Sequence, residues 1–168
     1  EAERVLHESL GHYGWANARI AHRQTYTVAA NWKLATENYQ ECYHCTPAHP
    51  EFSRLHATEK PDHEVAELRA EAAAKSRAMG IEIPNFHLWP YGSPGEEMVH
   101  ASYDAIYPGS VTGSADGQPV APLMGDYADP DVGTLRIRTM PNFWNHSSCD
   151  HSVSTRLLPE GPNRTHIQ

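Results

Sequence analysis

Strict alternation of apolar and polar positions is confined to a few short stretches of this chain. In residues 23–32, RQTYTVAANW, Tyr26 and Val28 alternate with polar neighbours, which predicts a short half-buried strand. Asn31 can then cap a helix whose apolar side is Trp32, Leu34, Ala35 and Tyr39. Pro47 lacks a backbone N–H, so that helix is expected to end or bend after about Cys45. A second helix is expected to open at Asp62 as N-cap and stop at Gly80. Its apolar stripe (Val65, Leu68, Ala72, Met79) is thin, which places it on the surface. MVHASYDAIY, residues 98–107, reads as a strand, and residues 108–133 as a long mobile loop of Gly, Pro, Asp, Ser and Ala. TLRIRTM sets Leu135, Ile137 and Met140 loosely against Arg136 and Arg138, and SVSTRLLP puts Val153, Thr155 and Leu157 on one face of a further strand. An early helix, a surface helix and then antiparallel strands make an α+β pattern without internal repeats.

Composition narrows the function classes. The chain has 168 residues and a net charge of -8. Its Lys and Arg are scattered singly, which argues against nucleic acid as a partner. No apolar run is long enough to span a bilayer, and no secretory leader opens the chain. Three cysteines make a poor disulfide framework and fit a reducing, cytoplasmic setting. EAERVLHESLGHYG reads as the tail of a connecting segment, and Thr165, His166 and Ile167 begin a strand-like alternation just before the end. Residues 1–168 are therefore expected to be a fragment of a larger protein.

Residues 37–52, ENYQECYHCTPAHPEF, concentrate the candidate chemistry, and two spacings compete there. Cys42 and Cys45 stand as Cys-x-x-Cys, half of a structural zinc site that could include His49, or a thiol redox pair. A zinc site needs further ligands, and Cys149 is solitary; a redox pair belongs at the start of a helix after a strand. Two small, partly buried side chains are the plainer account. The second spacing is Glu41-x-x-His44-x-x-x-x-His49. At about 100° per residue, Glu41 and His44 share a helical face about 60° apart, and a bend at Pro47 lets His49 swing back toward His44. Two imidazoles with open positions suit non-haem Fe(II), though His-x-x-x-x-His alone is equally explained by core histidines.

The setting of that spacing is more specific. AHRQTYTVAANWKLATENYQECYHCTPAHPEF resembles the catalytic domain of the Rieske non-haem iron oxygenase alpha subunits, the ring-hydroxylating oxygenase family, with its strand, Asn-Trp-Lys and acid-x-x-His-x-x-x-x-His. RTMPNFWNHSSCDHSVSTRLLPEGPNRT resembles the family's Pro-Asn strand, the next strand ending Leu-Pro and the entrance of a third. The resemblance implies a helix-grip domain (Bet v1-like, START-like), an antiparallel sheet curled about a long C-terminal helix, here truncated before that helix. It implies a mononuclear Fe(II) held by His44 and His49, with a third ligand, an aspartate, beyond the chain end; Asp150 is not assigned. The N-terminal Rieske domain with its 2Fe-2S cluster is absent. Glu41 is implied to bridge an iron-ligand histidine of one subunit to a cluster histidine of the next in a homotrimer, and Asn38 to lie near the iron.

Activity, by the same resemblance, is O2-dependent hydroxylation or oxidative demethylation of a small aromatic or quaternary ammonium compound. Electrons come from NAD(P)H through a reductase or ferredoxin component. Glu41 followed by Cys-Tyr-His-Cys looks most like the carnitine and glycine-betaine branch. A helix-grip ligand carrier without catalysis and a zinc module on Cys42 and Cys45 are the alternatives. His22, His56, His87, His100, His146, His151 and His166 have no ligand spacing and read as structural or surface residues. Phe86, Trp89, Phe143 and Trp144 read as core first, although aromatics could cage a quaternary ammonium ion.

Overall fold

The computed structural model describes residues 2–41, 43–56, 60–83, 99–139 and 141–168. The expectations for Cys42, Phe86, His87, Trp89 and Met140 lie outside the described residues. Helix α1 (Ala2–Leu10) runs into 3-10 turns at Gly11–Tyr13 and Trp15–Asn17, and strand β1 (Tyr26–Val28) follows. Helices α2 (Trp32–Gln40), α3 (Cys45–Ala48), α4 (Pro50–Leu55) and α5 (Asp62–Ala78) come next. The remainder holds β2 (Val99–Asp104), β3 (Thr134–Thr139), β4 (Phe143–Ser147), β5 (Ser152–Gly161) and β6 (Arg164–Ile167). All six strands form one antiparallel sheet in the order β1-β6-β5-β4-β3-β2. The architecture is α+β of the helix-grip type.

Register assigns the two faces of the sheet, because directly opposite residues point to the same side and neighbours along a strand alternate. Ala101 opposes Ile137, and Tyr103 opposes Leu135. This face meets the apolar cluster of Tyr13, Ile81, Tyr127, Val132 and Cys149. On the other face His100 opposes Arg138, which opposes Trp144, and Arg136 opposes His146. Arg136 and Arg138 are both half-buried.

Several local expectations change. The N-terminal segment forms a helix: Leu6 and Leu10, one turn apart, pack on the apolar cluster. Helix α5 has Pro61 at its N-cap position, so Asp62 is its first residue. At its C-terminus the expected Gly80 stop is present, with φ of 80°. Gly80 N–H bonds Arg77 O and Ile81 N–H bonds Ser76 O, which satisfies two terminal carbonyls. Residues 108–133 are irregular but tied down rather than mobile. Thr112 and Val132 are buried, Met124 N–H bonds Cys149 O at 2.7 Å, and Asp126 N–H bonds His12 O at 2.9 Å. Gly125 makes that approach possible, since a Cβ there would lie 1.9 Å from His12 O. Along β5, Leu157 is buried as expected, but Val153 opposite His146 is 55% exposed, because no described element covers that end of the face.

Candidate functional site

The site is built on the sheet's polar face by α2, α3 and α4. Asn31 caps α2 by accepting from Lys33 N–H at 3.0 Å, and its amide donates to Pro162 O at 2.8 Å, just before β6. Thr165 Oγ1 donates to Ala30 O at 2.9 Å. The start of the helix is therefore fastened to β6.

Helix α2 ends earlier than expected. Glu41 is its C-cap with φ -78° and ψ 120°, an extended conformation, so the single helix through Cys45 is not formed. The cause is Pro47, acting differently from the expected stop. In a continuous helix its ring would clash with the carbonyl four residues back, at Tyr43, so the break must come a turn before it. Restarting at Cys45 puts Pro47 in the first turn of α3, where its missing N–H costs nothing. Glu41 and His44 accordingly do not share a helical face. His44 is the residue before α3 and His49 the residue after it, with His49 at φ -135° and ψ 63°. One short turn thus brings the two imidazoles together, with ring centroids 5.5 Å apart at an interplanar angle of 74°.

That pair faces a cavity of about 810 Å³, shared with Asn38 and Tyr39 of α2, Phe52 of α4 and Trp144 and His146 of β4. With metal–imidazole bonds of about 2.1 Å, two rings on one ion stand about 5 Å apart centroid to centroid. His44 Nδ1 is buried without a partner among the described residues. Leaving such an atom unpaired costs about 1–3 kcal/mol, which a metal bond on one ring nitrogen and an outside acceptor on the other would remove. The residues present therefore fit an ion, supplying two of its ligands. Among the described residues no group of three His, Cys, Asp or Glu side chains could hold a metal. The zinc alternative depends on Cys42, outside the described residues; Cys45 is buried at the start of α3.

Glu41 does not line the cavity. The exposed phenol of Tyr43 hydrogen-bonds to it, and that bond together with the carboxylate's charge raises the phenol pKa. Asn38 is exposed on the cavity wall.

Trp144, placed first in the core by its sequence, lines the site and stacks on Tyr39 with centroids 4.0 Å apart at 16°. Tyr39 Oη lies 2.6 Å from His146 Nε2. Burial lowers the His146 pKa to about 4, helped by Arg136, and raises the Tyr39 phenol to about 12. His146 is thus neutral at pH 7 and the phenol donates to it. Burial and Arg136 likewise lower His56 to about 3.

Asp104 balances the arginines. Its Oδ1 accepts from Arg69 at 2.7 Å, and its Oδ2 lies 3.2 Å from Arg136 Nε, an ion pair misaligned for a hydrogen bond. Burial pushes the carboxyl upward, but Arg136 and Arg69 outweigh it and hold it below the usual range. Sequence reasoning did not single out Asp104, Arg136, His56 or His146 for the site. Their one available signal was alternation within the strands, and alternation does not distinguish a buried polar face from a wet one.

A family model described as the catalytic domain of the ring-hydroxylating alpha subunit matches residues 15–168. The chain is 34% identical over 166 residues to the glycine betaine monooxygenase oxygenase subunit of Chromohalobacter salexigens, covering 96% of this chain and 36% of that protein. It is 32% identical over 171 residues to the subunit of the same name from Pseudomonas aeruginosa, covering 96% and 38%. A shorter match, 57% over 35 residues, joins it to the carnitine monooxygenase oxygenase subunit of Escherichia coli, covering 21% of this chain and 9% of that protein. The chain spans little more than a third of the glycine betaine relatives' length. With a match over nearly its whole length to that domain, the chain belongs to the ring-hydroxylating, Rieske-type oxygenase alpha-subunit family.

Proposed function

We propose that this chain is the iron-bearing part of an oxygenase catalytic domain, with His44 and His49 as two ligands of a mononuclear Fe(II). The third ligand, an aspartate, and the 2Fe-2S cluster lie in parts of the protein outside these 168 residues. Ferrous iron bound there supplies the activation of dioxygen, using electrons drawn from NAD(P)H through a reductase. The observation that carries this proposal is the His44–His49 pair, 5.5 Å apart across α3 and facing a cavity, with a buried ring nitrogen left unpaired among the described residues.

The chain's own residues hold and shape the site. His44 and His49 are fixed at either end of a helix too short to flex between them. Tyr39 and Trp144 form a stacked aromatic wall whose ring faces suit a quaternary ammonium ion. The similarity to glycine betaine monooxygenase subunits supports such a substrate. An N-methyl carbon oxidised to the hydroxymethyl level would leave as formaldehyde. Asn38 lies beside the pair, and Glu41, outside the cavity, serves the electron path from the cluster of a neighbouring subunit in a homotrimer.

Iron analysis of the full-length protein tests the ligands. His44→Ala and His49→Ala should each lose the mononuclear iron and keep the cluster, whereas Cys42→Ala and Cys45→Ala should keep both. Retention of iron by both histidine variants would overturn the assignment. Glu41→Gln should load both centres and allow cluster reduction, yet lose glycine-betaine-dependent formaldehyde formation. Normal turnover in Glu41→Gln would remove its electron-path role alone.

A further inference from the structure

Of the described tyrosines, only Tyr39 lines the His44–His49 cavity. Its phenol donates to His146 Nε2 across 2.6 Å, a short bond to a neutral ring. One ring face stacks on Trp144 with centroids 4.0 Å apart, which holds the phenol in line with its acceptor. The Arg138 guanidinium carbon lies 5.6 Å from the Tyr39 ring centroid. Tyr43, the next tyrosine along the chain, is 83% exposed, hydrogen-bonds Glu41 and lies outside the cavity.

A phenol that can pass its proton on is far easier to oxidise by one electron than one that cannot. Without that transfer, oxidation would leave a cation on the ring, and Arg138 opposes a second positive charge there. With it, the ring becomes a neutral radical and the charge appears on the His146 imidazole, where Asp104 partly offsets Arg136 and Arg138. An oxidised phenol is a much stronger acid than an imidazolium, so the low basicity of His146 does not stop the transfer. It does raise the potential. The pair therefore keeps its electron from mild oxidants and yields it to strong ones.

We propose that Tyr39, with His146 as its proton acceptor, is a redox-active tyrosine that quenches oxidising equivalents formed at the His44–His49 site when no substrate is bound. This rests on the iron assignment above. The oxidant is hydrogen peroxide, dioxygen reduced by two electrons, meeting the ferrous site. It takes one electron from Fe(II) and one from Tyr39, its O–O bond breaks to give two hydroxide ions, and the phenolic proton moves to His146 Nε2. Fe(III), the tyrosyl radical and the imidazolium remain, so atoms and charge balance. The second oxidising equivalent is thereby taken up by Tyr39 rather than by His44 or His49. An electron from the reductase and the proton on His146 then restore the phenol.

The experiment mixes hydrogen peroxide with the substrate-free, iron-loaded full-length protein, its cluster oxidised, and freezes the mixture within milliseconds. Electron paramagnetic resonance should show an organic radical whose lines narrow when the protein is made with ring-deuterated tyrosine. Tyr39→Phe, which keeps the stack, should lose that signal. His146→Gln, which accepts a hydrogen bond but not a proton, should lose most of it, and Tyr43→Phe should keep it. Peptide masses from Tyr39→Phe should show severalfold more oxygen added at His44 and His49, a change that loss of a merely packed phenol would not produce. Should Tyr39→Phe fail to load iron, His146→Gln carries the test. An undiminished signal in Tyr39→Phe, or one unchanged in His146→Gln, would overturn the proposal. Iron analysis of each sample separates the two readings. Wild-type protein that holds iron but forms no tyrosyl radical removes the proposal alone, and protein that takes up no mononuclear iron removes it together with the iron assignment.

Discussion

The two faces of the central sheet are made of the same strands and solve opposite problems. Leu135 and Ile137 point into a dry cluster with Ile81 and Val132, where close packing supplies the stability. Arg136 and Arg138, the alternate residues of β3, point under Tyr39 and Phe52 into a half-buried network of Asp104, His56, His100 and His146. One face gains by excluding water from apolar groups. The other must satisfy each charge it hides, which adds little net stability but fixes directions. In this domain the division separates the part that keeps the chain folded from the part that aims the imidazoles.

The comparison breaks most visibly if the faces are not independent. Ile137→Ala, at a fully buried position, should cost about 2–5 kcal/mol. The remaining folded full-length protein should still hold iron in the wild-type ratio; unfolding and metal analysis on one preparation check both. Iron loss out of proportion to the unfolded fraction would show that the apolar face sets the metal geometry.

Acid should act through the polar face. His146 and His56 have pKa values lowered from 6.5 to about 4 and about 3, so below pH 6.5 the unfolded chain binds more protons than the folded one. Their contribution is full above pH 6.5 and is lost as the pH falls through about 4. Asp104, held below 3.8, extends the loss further down. Between pH 7 and 4.5 the metal-free full-length protein should lose on the order of 2 kcal/mol through each of these histidines. Denaturant midpoints in His146→Gln should show a shallower slope; an unchanged slope would move the acid-sensitive groups elsewhere.

A smaller effect sharpens the contrast within the polar face. Tyr39→Phe keeps the stack on Trp144 and leaves His146 Nε2 without its donor, which should cost about 1 kcal/mol. Thermal melts of the variant and wild type check this, and a loss as large as that of Ile137→Ala would mean that the polar face carries the fold as well.

The sequence made the local features legible and left the distant ones hidden. Strand β3, the Gly80 stop and the nearness of His44 to His49 follow from alternation, one glycine and one proline, all of which act over a few residues. The helix ended at Gln40 rather than at about Cys45 because a proline constrains the turn preceding it, not only its own position. Tyr39 with His146, and Asp104 with Arg69 and Arg136, are long-range pairs with no local periodicity to announce them. Helix α1 was hidden in another way, since Leu6 and Leu10 alone make too narrow a stripe to separate a helix from a linker.

The fastening of α2 to β6 also sets a clock. Ala30 and Thr165, joined through one hydrogen bond, are 135 residues apart, and β1 pairs with no strand except β6 among the described residues. On a ribosome adding about 5–20 residues per second, the helix before the His44–His49 pair waits on the order of ten seconds for its anchor to be synthesised. During that interval α2 and β1 have no docking surface, and the nascent chain carries its histidines unarranged. The arrangement of the His44–His49 pair is thereby tied to the emergence of β6, which orders synthesis and folding in time.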